Sequence, residues 1–87
     1  SNNVYCFGAD AKLRWRRDLG SAITALTVVK GLVVVGTDAG QLYTLDKDGK
    51  PVAVSELKSR VIEAVPYGDG MAVVTADGRV RQLRATR

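Results

Sequence analysis

Eighty-seven residues with 46% apolar and 25% charged side chains have the composition of one small globular unit, not of a disordered chain. The net charge of +4 comes from 13 Lys and Arg against 9 Asp and Glu, and no apolar run approaches the roughly 18 residues that span a bilayer as a helix. Histidine is absent and Cys6 stands alone, which excludes an intrachain disulfide and any Ser–His or Cys–His nucleophile pair.

The opening Ser1-Asn2-Asn3 lacks the basic start and apolar core of a signal peptide. Val4–Phe7 (VYCF) is β-branched and aromatic and predicts a strand. Cys6 inside it reads as a small buried hydrophobe. After a turn at Gly8-Ala9-Asp10-Ala11, Leu13–Leu19 predicts a polar strand. Period-two alternation puts Leu13, Trp15 and Leu19 on one face and Arg14 and Arg16 on the other. Gly20-Ser21 breaks the pattern. Ile23–Val29 and Leu32–Val35, parted by Lys30-Gly31, are almost continuously apolar and are expected to be buried on both faces.

Gly36–Gly40 turns the chain into a strand at Leu42–Leu45. Asp48-Gly49 then has the composition of a two-residue hairpin turn with positive φ at both positions. Pro51–Leu57 is a further edge strand, and proline at its start fits, because it has no donor to lose. The pattern returns at Val61–Val65, Met71–Val74 and Val80–Leu83.

The return has a fixed offset of 38 residues, as in Tyr5/Tyr43, Asp10/Asp48, Leu19/Leu57, Val35/Val73, Thr37/Thr75, Gly40/Gly78 and Leu45/Leu83. With the strands of one unit lettered a to d, the chain reads c-d over 4–19, a complete a-b-c-d over 23–57, and a-b-c over 61–85 of a single segment spanning 1–87. Apolarity falls from a and b towards d, the gradient of a stacked four-stranded unit dry inside and wet outside. A period of this length with four strands fits the blade of a β-propeller.

Lys12–Lys50 resembles the PQQ-type β-propeller repeat found in quinoprotein dehydrogenases, in kinase sensor domains and in outer-membrane assembly lipoproteins similar to BamB. Trp15, Asp18-Leu19-Gly20, Gly36-Thr37, Gly40, Leu42-Tyr43, Leu45-Asp46 and Gly49-Lys50 carry the likeness. It implies an all-β fold of antiparallel four-stranded blades, with Tyr5, Phe7, Trp15, Tyr43 and Leu45 packing blade on blade and Gly40, Asp48, Gly49 and Gly78 shaping turns. It implies the periplasm or another extracytoplasmic place. Three positions depart from the pattern: Ala53 stands where the next repeat would carry Trp15, Gly8 replaces a turn aspartate, and Arg81 replaces Tyr5 and Tyr43. The arginine suggests that this face of the last sheet is uncovered.

About four to eight blades close a propeller, and this chain holds little more than two. It is a part of a larger propeller, a unit that closes by assembling with copies of itself, or a small barrel or sandwich. No motif supplies catalysis. Most of the aspartates lie in turns, where their side chains bond local backbone, and the resemblance implies that the dehydrogenase cofactor would need Ca²⁺ ligands and a catalytic acid drawn from several blades, often with a disulfide of adjacent cysteines, where this chain has only Cys6. No cofactor is expected. Glu63 interrupts an inner strand and is a candidate for facing a central channel. Arg14, Arg16 and Arg17 with Arg79, Arg81 and Arg84 could form basic strips for phosphate or an acidic partner, or solvated edge charges. Exposed aromatics hardly accompany them, which disfavours nucleic acid.

The reading is a non-catalytic propeller module for protein–protein contact or scaffolding, completed by further blades or identical copies. The alternatives are a piece of a propeller enzyme whose site lies elsewhere and a basic nucleic-acid-binding β module.

Overall fold

The computed structural model describes residues 2–84; the end of the last segment expected over 61–85, and Arg87, lie outside them. Nine strands form three antiparallel sheets, and no helix is present among the described residues. β1 (Asn3–Phe7) and β2 (Leu13–Asp18) form the first sheet. β3 (Ile23–Val29), β4 (Leu32–Thr37), β5 (Gln41–Leu45) and β6 (Pro51–Glu56) form the second, and β7 (Val61–Tyr67), β8 (Gly70–Thr75) and β9 (Val80–Arg84) the third. The order is c-d, a-b-c-d, a-b-c: an incomplete propeller whose middle blade has all its strands.

The repeat extends to irregularities that pattern alone does not reveal. In β2, Arg14 is skipped between the pairs Cys6↔Trp15 and Phe7↔Leu13. Val52, its successor, is skipped in β6 between Thr44↔Ala53 and Leu45↔Pro51. Thr24 and Ile62 are likewise bypassed in β3 and β7. Each skipped residue is a β-bulge, which reverses the facing of everything beyond it. Leu13 is therefore exposed, and Trp15 shares its face with Arg17 and Leu19 instead.

Two apolar layers lie between the sheets. Val4 and Leu19 of the first sheet meet Val35 and Leu45 of the second, with Trp15 and Tyr43 at their margin. Val34, Leu42 and Leu57 meet Val61, Ala64, Met71 and Val73 of the third. β4, β5 and β8 alternate between these layers or end in them. β4 is buried on both faces, as its unbroken apolar run predicts. β3 is not: Leu26 and Val28 are 52% and 56% exposed. Their register opposite Val35 and Val33 turns them towards the first sheet, which has no inner strands to cover them.

The turns carry the repeat further. The β3–β4 connection, Lys30-Gly31, has φ of 52° and 76°; it is the two-residue hairpin with positive φ at both positions. Asp48-Gly49, expected to be such a turn, is different. Only Gly49 has positive φ, 79°. The Gly49 N–H donates to Asp46 O at 3.0 Å, and Asp46 N–H donates to Lys50 O at 2.9 Å. Asp46, not Asp48, shapes the loop, because its Oδ1 accepts from Asp48 N at 2.8 Å and Lys50 N at 3.0 Å. Gly40 and Gly78 close the b–c turns with φ of 85° and 86°, each donating to a buried threonine carbonyl, Thr37 O and Thr75 O.

Candidate interaction surface

The first sheet reaches the second through Trp15. Its Nε1 donates to Lys47 O at 2.8 Å, and the neighbouring Arg17 Nε donates to Gly49 O at 2.8 Å. Both acceptors lie on the c–d turn of the next blade. The indole covers Gly49 so closely that a Cβ there would stand 2.6 Å from Trp15 Cδ2. Leu45 and Tyr43 pack in the same layer, and the Tyr43 hydroxyl donates to Gln41 Oε1 at 2.9 Å.

Tyr5 and Phe7 sit elsewhere. Their rings stack at 6.5 Å on the outward side of the first sheet, 51% and 60% exposed. Cys6, expected to be buried, is half-buried. Its register across from Trp15 turns it inward with Val4.

The arginines differ in their surroundings. Arg14 and Arg16 are exposed, while Arg17 is half-buried in its bond to Gly49. Arg79 Nε lies 3.7 Å from Asp77 Oδ2. Arg84 is exposed on the outer side of the third sheet. Arg81, expected on an uncovered face, is turned to the covered one, because it pairs with buried Val73. Its Nε is buried there without a hydrogen-bond partner. A guanidinium so placed loses hydration that nothing replaces.

Glu63 is exposed on β7, the inner strand of the third sheet. It pairs with Val74, while Ala64 beside it faces the core opposite Val73. Alternation puts Glu63 on the outer face of the third sheet with Val65 and Tyr67. Val80 on that face is 70% exposed, whereas Val4, two repeats earlier, is 5% exposed under the second sheet.

Beyond the strand pairs Tyr43–Gln41 and Gln41–Glu56, several polar contacts gather in turns. The Thr75 hydroxyl, donating to Asp77 Oδ1 at 2.6 Å, holds that carboxyl below its ordinary pKa of 3.8, with the Arg79 N–H and the Arg79 and Arg81 charges helping against partial desolvation. Among the described residues no three Cys, Asp or Glu side chains cluster to hold a metal. A shallow hollow of about 330 Å³ is lined by Tyr67, Asp69, Met71, Gln82 and Arg84, and Asp69 Oδ1 lies 3.7 Å from Lys30 Nζ. The large exposed apolar side chains include Tyr5, Phe7, Leu26, Val28, Tyr67 and Val80.

The model of the family described as outer membrane protein assembly factor BamB matches residues 1–87. The chain belongs to that family, the PQQ-type propeller repeats. Among solved structures it is similar to BamB from Moraxella catarrhalis, at 27% identity and a TM-score of 0.86 over 98% of this chain. It spans 27% of the length of that protein. The computationally designed Ika4 protein shares the fold at 22% identity and a TM-score of 0.70, covering 99% of this chain and 62% of that one. No curated protein sequence matches. No helix among the described residues is long and apolar enough to cross a membrane. Trp15 lies at the margin of the layer between the first and second sheets. Arg81 and the bulges were missed: the bulges announce themselves only through pairing register, and Arg81 only through which face the next sheet covers.

Proposed function

We propose that this chain is a non-catalytic segment of a BamB-type propeller that serves protein–protein contact, as the name of its relative, an assembly factor for outer membrane proteins, suggests. The supporting observation is the distribution of exposed apolar groups. Tyr5, Phe7, Leu26, Val28, Tyr67 and Val80 are exposed on faces that no other sheet of the chain covers. Such a segment supplies rigid stacked sheets on which partners dock, with the propeller ring completed by further blades.

The test is deletion of residues 1–87 from the protein that carries them, read as the amount of folded β-barrel protein in the outer membrane. A fall in that amount, restored by the intact gene, supports the reading. Unchanged levels overturn it.

A further inference from the structure

The junctions between consecutive sheets differ in charge. At the junction of the first and second sheets, Gly20, Ala22, Gln41 and Tyr43 are neutral. One repeat later, Lys58, Arg60, Arg79 and Arg81 hold those positions. The fold gathers these cations around Asp77. Arg60 O accepts from Ala76 N–H at 2.9 Å, Ser59 Oγ accepts from Asp77 N–H at 3.0 Å, and Arg79 Nε lies 3.7 Å from Asp77 Oδ2. After the Thr75 hydroxyl, the charges of Arg79 and Arg81 help to keep Asp77 ionised. Glu56, close by in sequence, instead accepts from Gln41 Nε2 at 3.1 Å. Lys58, Arg60 and Arg79 are exposed. Neither Lys58 nor Arg60 joins an ion pair among the described residues.

The loop that carries Lys58 and Arg60 is held on both sides. Towards the second sheet, Leu57 N–H donates to Gly40 O at 2.8 Å, and a Cβ on Gly40 would stand 2.7 Å from Ser59 N. Towards the third, Ser59 Oγ and Arg60 O accept from the turn that follows β8. Lys58 keeps a left-handed φ of 61° where Gly20 has 75°. Side chains other than glycine rarely adopt that region, and strain of this kind concentrates at ligand clamps and switch regions.

We infer that this junction binds an acidic segment of a partner protein, whose carboxylates pair with Lys58, Arg60 and Arg79. The inference rests on reading the chain as a protein-contact module and names the chemistry of the partner. An arginine fork takes a carboxylate through two parallel N–H donors, and a loop already fixed in place has little entropy to lose on binding. Asp77 decides between carboxylates and phosphates. A segment with spaced acidic side chains steps past it, whereas the dense phosphates of nucleic acid or of a lipid surface are repelled by it. Residues 57–60 and 76–81 contain no aromatic side chain on which a base would stack.

The test is fluorescence anisotropy of a labelled hexaglutamate peptide titrated with the protein that carries this chain, at low and at physiological salt. Binding is expected, and it weakens as salt rises, because exposed charges are screened. Lys58→Gln with Arg60→Gln is expected to weaken it about tenfold through loss of two exposed pairs. Arg14→Gln with Arg16→Gln, at exposed positions on the first sheet, is expected to change it less than about twofold. Unchanged urea midpoints show that both variants are folded. Equal losses in the two variants would assign the binding to diffuse charge, and phosphatidylglycerol vesicles that displace the peptide at equal charge would assign the junction to lipid. Either result overturns the inference, as does absence of binding at low salt. Each of these failures leaves the deletion test of the proposed function standing, and a failed deletion test leaves the peptide titration as it was.

Discussion

Trp15 Nε1 donates to Lys47 O at 2.8 Å, across a sequence separation of 32 residues. This bond, with the indole laid over Gly49, fixes the outer strand of one blade to the turn of the next. Trp15→Ala is expected to destabilise the chain by about 2–3 kcal/mol, from lost apolar burial and one lost hydrogen bond. Trp15→Phe keeps most of the burial and is expected to cost about 1 kcal/mol. Urea unfolding of the three proteins measures both, and equal losses for the two variants would show that the ring contributes little.

Gly49→Ala probes the same contact from the other side. It adds a Cβ at 2.6 Å from the indole and forces alanine to a φ of 79°. Gly36→Ala is the counterpart between the second and third sheets: its Cβ would overlap the buried Val61 side chain. Both are expected to lower stability by about 1–3 kcal/mol. Thermal melts check this, and a neutral Gly36→Ala would mean that the inner strands separate freely.

Ala11, Lys30 and Lys58 have positive φ where another repeat has Gly49, Gly68 and Gly20. Ala11 has φ of 64° and Lys58 has φ of 61°, while Gly49 and Gly20 hold the equivalent positions. Ala11→Gly and Lys58→Gly are each expected to stabilise the chain by about 1 kcal/mol through release of left-handed strain, less the added freedom of the unfolded chain. The urea midpoint should rise in each, and a fall in both would refute the assignment of strain.

Asp46→Ala removes the acceptor for two backbone N–H groups and is expected to cost about 1–2 kcal/mol. Asp48→Ala is expected to be within about 0.5 kcal/mol of neutral, as for surface changes generally. The contrast follows from geometry, since sequence composition points to Asp48. Hydrogen exchange at Lys50 N–H should accelerate in the first variant alone.

The Asp77 carboxyl is held below its ordinary pKa of 3.8 by the Thr75 hydroxyl first, then by Arg79 and Arg81. A depressed carboxylate pKa stabilises the fold above the unfolded value and loses that contribution as pH falls through the folded one. The difference in urea midpoint between the natural chain and Asp77→Asn is therefore expected to be constant near neutrality. It should shrink as pH drops through and below 3.8. A difference that grows with acid would reverse the sign and refute the account.

Much of this was legible in the sequence because repetition amplifies weak local signals. Tyr5/Tyr43 and Thr37/Thr75 locate equivalent strands and turns without any knowledge of packing, and Trp15 on a polar strand marks a docking residue. The facing of Leu13 and of Glu63 was not legible, since a single skipped residue inverts a strand. Nor was the orientation of Arg81, which depends on which sheet lies beside it. The basic residues look contiguous along the chain, yet Arg17 bonds Gly49 O and Arg79 pairs with Asp77.

The sequence by itself determined the strand count, the 38-residue repeat read in pairs such as Tyr5/Tyr43, and the family, because strands and turns are encoded in alternation and in residues near glycine. Only the tertiary structure decided which faces are dry. Burial of a side chain on a strand depends on what the neighbouring sheet places over it. Leu26, Val28, Tyr5 and Tyr67 are left exposed because none of this chain's own three sheets covers them.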